Sequence, residues 1–91
     1  MKAIELLKRL PLEQMGADVL IDLGTEKIFI SRTGQVSDTV EDMVDVTLRL
    51  SEDDLVAVLE GKENVISLFT MGRIEVEGDM DLAIRLKDIL G

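Results

Sequence analysis

The chain has no cysteine, histidine, tyrosine or tryptophan, and only one proline. Without cysteine there is no disulfide and no thiol chemistry. Without histidine a nucleophilic triad lacks its base, and the usual nitrogen and sulfur metal ligands are missing. Basic residues are also scarce: ten Lys and Arg stand against nineteen Asp and Glu, for a net charge of −9. That balance repels nucleic-acid phosphates and disfavours tight docking on anionic membranes. No run approaches the ~18 apolar residues that would cross a bilayer. The N-terminus lacks the apolar core and small residues of a signal peptide. These absences predict a soluble, cytoplasmic protein with no cofactor, no metal, no nucleic-acid partner and no stable membrane insertion.

What remains is largely aliphatic. Apolar residues make up 46% of the 91, supplied by Leu, Ile, Val and Met, with Phe29 and Phe69 as the two aromatics. Mean hydropathy is +0.21, high for a chain that is 32% charged. The length suits a single domain over residues 1–91. Acidic stretches at Ser51 to Asp54 and Asp79 to Asp81 look locally like calcium ligands. Neither fits a twelve-residue loop with glycine at its sixth place, and helix capping accounts for both. Gly72 and Gly78 bracket a strand and so do not cradle a phosphate. An enzyme is not expected from this inventory.

Taken in order, Met1 to Leu10 sets Ile4, Leu7 and Leu10 at helical spacing among Lys2, Glu5, Lys8 and Arg9. Pro11 ends this short amphipathic helix. From Asp18 to Leu23, Val19, Ile21 and Leu23 share one side of a strand. Gly24-Thr25 turns the chain, and Lys27 to Ser31 returns as the second strand of a hairpin. Gln35 to Asp42 offers Val36 and Val40 to a weak edge strand. Asp45 to Leu50 alternates more clearly, with Val44, Val46, Leu48 and Leu50 on one face and Asp45, Thr47 and Arg49 on the other. Such one-sided strands imply a sheet with one wet face.

Ser51 then caps a helix whose first turn is acidic, where the macrodipole favours negative charge. Leu55, Val58 and Leu59 form its buried stripe, and Gly61 closes it. Asn64 caps a shorter helix carrying Val65, Ile66, Leu68 and Phe69. Four apolar residues within one and a half turns predict burial on more than one side. Gly72 ends this helix, Arg73 to Glu77 forms a strand with Ile74 and Val76 on one face, and Gly78 breaks that strand. Asp79 caps the closing helix. There Leu82, Ala83, Leu86, Ile89 and Leu90 form a core-facing stripe. Met80 and Ile84, one turn apart, make a second patch that asks for a neighbouring side chain, another chain or an apolar ligand. The whole predicts an α+β fold, with a mainly antiparallel or mixed five-stranded sheet covered on one face by helices.

Specific motifs follow one another from Asp45 onward: Asp45-Val46-Thr47-Leu48, Ser51-Glu52-Asp53-Asp54-Leu55, Gly61-Lys62, Leu68-Phe69, Gly72-Arg73-Ile74, Gly78-Asp79-Met80 and Leu82-Ala83-Ile84-Arg85-Leu86. Together, over about half the chain, they resemble the sterol carrier protein 2 family of lipid-transfer domains. The resemblance implies a non-enzymatic carrier of fatty acids, acyl-CoA, phospholipids or sterols with loose selectivity. On this reading an acyl tail lies between a sheet face of Val46, Leu48, Ile74 and Val76 and helices carrying Leu55, Leu59, Leu68, Phe69, Met80, Ile84 and Leu86. Phe69 holds one place of the family's aromatic pair and Thr70 the other, so a smaller or differently closed cavity is expected.

An enclosed cavity is costly to leave empty. At about 300 Å³, the low end for ligand pockets, and ~24 cal/mol per Å³, the void costs about 7 kcal/mol. Total domain stability is only about 5–15 kcal/mol. Such a cavity is therefore filled by lipid, water or a second chain, or it collapses. The rival expectation is an assembly module with a closed interior that forms a homodimer or docks on an enzyme, as bacterial members of the family assist quinone biosynthesis.

Overall fold

The computed structural model describes residues 1–39 and 43–91. Alternating aliphatic residues build five strands: β1 (Val19–Asp22), β2 (Lys27–Ile30), β3 (Val36–Ser37), β4 (Val46–Arg49) and β5 (Glu75–Gly78). They form one sheet in the order β3-β2-β1-β4-β5. The β1–β4 pair is parallel and the other pairs are antiparallel, so the sheet is mixed. Register aligns Ile28, Ile21, Leu48 and Val76 in one row and Ile30, Val19 and Val46 in the next, ending at Gly78. Because side chains alternate across a strand, both rows face the same way, towards the helices.

The opposite face is mixed: one row carries half-buried Phe29 and Leu20 and buried Thr47, ending at exposed Glu77, and the row beside it is charged. Lys27, Asp22, Arg49 and Glu75 run across it in register. Arg49 Nη1 lies 2.7 Å from Glu77 and its Nε 3.5 Å from Asp22. The hydrogen bond to Glu77, with the surrounding carboxylates, holds the Arg49 guanidinium above its ordinary pKa.

The helical side comprises α1 (Lys2–Leu7), a 3-10 turn at Leu12–Met15, α2 (Glu52–Leu59), α3 (Val65–Thr70) and α4 (Met80–Leu90). Leu7, Met15, Leu55, Leu68 and Leu86 join the inner sheet residues in one continuous buried cluster. The sequence pattern does not mark the 3-10 turn, because four residues are too few to show a period. It is nevertheless anchored, since Arg85 Nη1 of α4 donates to the Met15 carbonyl oxygen at 2.9 Å. α1 packs on α2, where Lys2 Nζ lies 2.7 Å from Glu60. That contact holds the Glu60 carboxyl below its usual pKa.

The three expected caps are present. Ser51 Oγ accepts from the Asp54 amide, Asn64 Oδ1 from Ile66 and Ser67, and Asp79 Oδ1 from Asp81 and Leu82. Each is worth about 1 kcal/mol against alanine. At the other end of α3, Gly72 takes φ +75°, and the Arg73 amide donates to the Leu68 carbonyl at 2.9 Å. This left-handed closure satisfies carbonyls that the helix cannot. It also occupies the Arg73 backbone, which explains why β5 starts at Glu75 and not at Arg73. The Arg73 side chain folds back over α2, donating from Nε and Nη2 to the nearly buried Asp54 carboxylate at 3.1 and 2.7 Å.

Two expectations are corrected, on Gly78 and on α3, and the edge strand is located. Gly78 does not break the strand; it is its last residue, paired with Val46. The expected edge strand is present at Val36–Ser37; Val40, named with Val36 for that strand, lies outside the described residues with Glu41 and Asp42. Finally, α3 is not buried on more than one side. Val65 and Leu68 are buried, but Ile66 and Phe69 are 57% and 52% exposed. A helix of six residues has one face on the core, and these two point away from it.

Candidate functional site

Those two outward residues meet the second patch of α4. Ile66 and Phe69 of α3, with Val65, form one wall of a groove; Met80, Ala83, Ile84 and Lys87 of α4 form the other. Val76 of β5 also lines it. The α4 wall follows directly from helix geometry, since residues spaced i, i+3, i+4 and i+7 share a face. From Met80 to Lys87 it extends about 10 Å, at 1.5 Å per residue.

The groove holds about 340 Å³ and is open to solvent. Seven of its eight lining residues are apolar, and Lys87 is the one charged member. Lys87 Nζ lies 2.7 Å from Asp88, which is not in the lining. Met80 and Ile84 are 56% and 52% exposed. Because the space is open, it carries none of the void energy that an enclosed cavity of that size would impose.

Two larger concavities have mixed walls. One, of about 450 Å³, includes Lys8, Phe29, Ser31 and Gln35; the other, of about 570 Å³, includes Met1, Ile4, Glu26 and Lys27. An apolar ligand loses less polar hydration in the α3–α4 groove than in either.

The sequence-based candidates therefore divide. Phe69, Val76, Met80 and Ile84 are brought together in the groove. Val46, Leu48, Leu55, Leu68, Ile74 and Leu86 lie within the packed core, and Leu59 packs partly buried against it. Val65, Ile66, Ala83 and Lys87 line the groove without having been singled out. Continuing the Met80–Ile84 stripe by one turn would have found Lys87.

Nothing in the groove carries acid–base or nucleophilic chemistry beyond that ammonium group. The Arg49 and Glu60 shifts arise from surface ion pairs elsewhere. Among the described residues, no group of three or more acids converges on a metal position. None of their helices is long and apolar enough to cross a membrane.

Comparison with known proteins follows the same lines. The model of the SCP-2 sterol transfer family matches residues 5–91. Sterol carrier protein 2 of Oryctolagus cuniculus is 32% identical over 56 residues, 62% of this chain and 10% of that protein. The chain thus spans about a tenth of the length of the curated relatives it matches. Among solved structures, sterol carrier protein 2 like 2 of Aedes aegypti superposes with a TM-score of 0.77 at 22% identity, covering 97% of this chain and 93% of that one. A solution structure of palmitated SCP2L2 from the same organism gives a TM-score of 0.65 at 25% identity, covering 80% and 68%.

Proposed function

Since the chain belongs to the SCP-2 sterol transfer family, we propose that it is a cytoplasmic, non-enzymatic carrier whose residues 1–91 form one domain that binds and transfers a lipid or fatty-acyl tail in the α3–α4 groove. One observation carries this reading: Ile66, Phe69, Met80 and Ile84, four large apolar side chains, are each more than half exposed around one apolar channel. Soluble monomers rarely leave such a patch uncovered without a use for it. The groove's volume sits at the small end of the ~300–1,000 Å³ typical of ligand sites. It therefore holds part of a long tail and leaves the rest, or the headgroup, at the surface. The palmitated relative supports an acyl ligand. Release follows from opening of α3, since a six-residue helix has little stability apart from its packing.

Titration of delipidated protein with a fluorescent fatty acid tests this reading. Saturable uptake with one site per chain is expected, with a copurifying lipid seen by mass spectrometry of untreated protein. No saturable uptake and no lipid would overturn it. The same exposed residues favour a second reading, in which the patch is covered by another copy of the chain or by an enzyme. Sedimentation distinguishes the two: a lipid-free dimer that binds no fatty acid supports the second.

A further inference from the structure

We infer that Lys87 makes the groove selective for lipids with a carboxylate headgroup, the ammonium anchoring the anion while the tail lies along Met80, Ala83 and Ile84. The inference rests on the groove being the lipid site, and adds which lipid it takes. Three observations carry it. Lys87 is the one charged lining residue, and it stands at the end of the α4 wall opposite Met80. Its side chain is 32% exposed, so its aliphatic stem lies against the wall while its head reaches the rim. Its ammonium has three donors and no acceptor. One faces Asp88 at 2.7 Å, leaving donors free for a headgroup.

Donors alone complement a group that only accepts, and an ionised carboxylate is such a group. A quaternary ammonium headgroup finds no partner there and meets a like charge. The net charge of −9 opposes any anion at long range. At physiological salt, however, the Debye length is about 8 Å, so the contact at Lys87 outweighs the distant acids. Asp88 competes for the same ammonium, but it is 63% exposed, and exposed pairs of this kind hold weakly.

The test measures dodecanoate and dodecanol side by side on the wild type, Lys87→Met, Lys87→Arg and Asp88→Asn, at pH 7.4 and physiological salt. The expected wild-type preference for the acid is about tenfold, the scale of a charge-assisted hydrogen bond. Lys87→Met should bring the ratio to about one, Lys87→Arg should restore it, and Asp88→Asn should raise it by freeing the ammonium. Equal binding of acid and alcohol by the wild type, or a preference that survives Lys87→Met, overturns the headgroup assignment and leaves the groove as a tail site. If neither compound binds, the lipid site itself falls, and this inference with it.

Discussion

Gly78→Ala is expected to cost about 2–5 kcal/mol of stability, the largest loss expected for alanine at any of the chain's glycines. Gly78 takes φ +109° at the end of β5. A side chain there costs about 1–2 kcal/mol from backbone strain alone. The added Cβ would also stand 2.5 Å from the Asp45 carbonyl oxygen and 3.0 Å from Val46 Cα. Both are backbone atoms, so no rotamer change relieves the clash, and overpacking of this kind costs about 1–3 kcal/mol. The same Asp45 carbonyl accepts the Asp79 amide at 3.2 Å, at the junction where β5 turns into α4. Displacing it loosens one wall of the groove. Gly24→Ala is the control: φ is +91°, but nothing lies within 4 Å of the new methyl. Urea unfolding should place Gly78→Ala well below Gly24→Ala. Equal losses would mean that the close approach to β4 is not there.

Ile84→Asp should leave folding nearly untouched and lower fatty-acid affinity by roughly 30- to 150-fold. Ile84 is 52% exposed, and exposed substitutions away from special features usually change stability by less than about 0.5 kcal/mol. In the groove the same change removes apolar carbons that each contribute about 0.8 kcal/mol to tail burial. It also introduces a carboxylate that keeps its water and so excludes the tail. Together these amount to roughly 2–3 kcal/mol, and each 1.4 kcal/mol is tenfold in affinity. Fluorescence titration beside a thermal melt checks both halves. Intact affinity in a folded variant would place the tail elsewhere.

Much of the fold is legible in the sequence, for reasons that can be named. Asp45 to Leu50 alternates without interruption, and Ser51, Asn64 and Asp79 each stand immediately before a stretch with helical apolar spacing, so strand and caps follow from local chemistry. The edge strand Val36–Ser37 and the turn Leu12–Met15 are too short for any period to appear. In α3, Ile66 and Phe69 are as apolar as Val65 and Leu68. Composition alone therefore does not tell the outward pair from the inward one.

The site was half legible for the same reason. Met80 and Ile84 fall off the core stripe of α4, so helical periodicity alone identifies a second surface. Val46, Leu48 and Leu86 are apolar on the correct face, yet a core residue and a pocket residue look identical in a hydropathy pattern. Lys87 stayed hidden because an apolar stripe is traced by its apolar members. Ala83 sits where the two stripes of α4 meet, and it serves both the core and the groove.

The most direct test of the groove uses the methionines already present. In protein labelled with ¹³C at its methionine methyls, Met80 lies in the groove, Met15 is buried in the core and Met1 lines a different concavity. A fatty acid carrying a nitroxide on its tail should broaden the Met80 methyl first and most, ahead of Met15 and Met1. Binding that leaves Met80 sharp while Met1 or Met15 is broadened would contradict the assignment of the lipid to the α3–α4 groove.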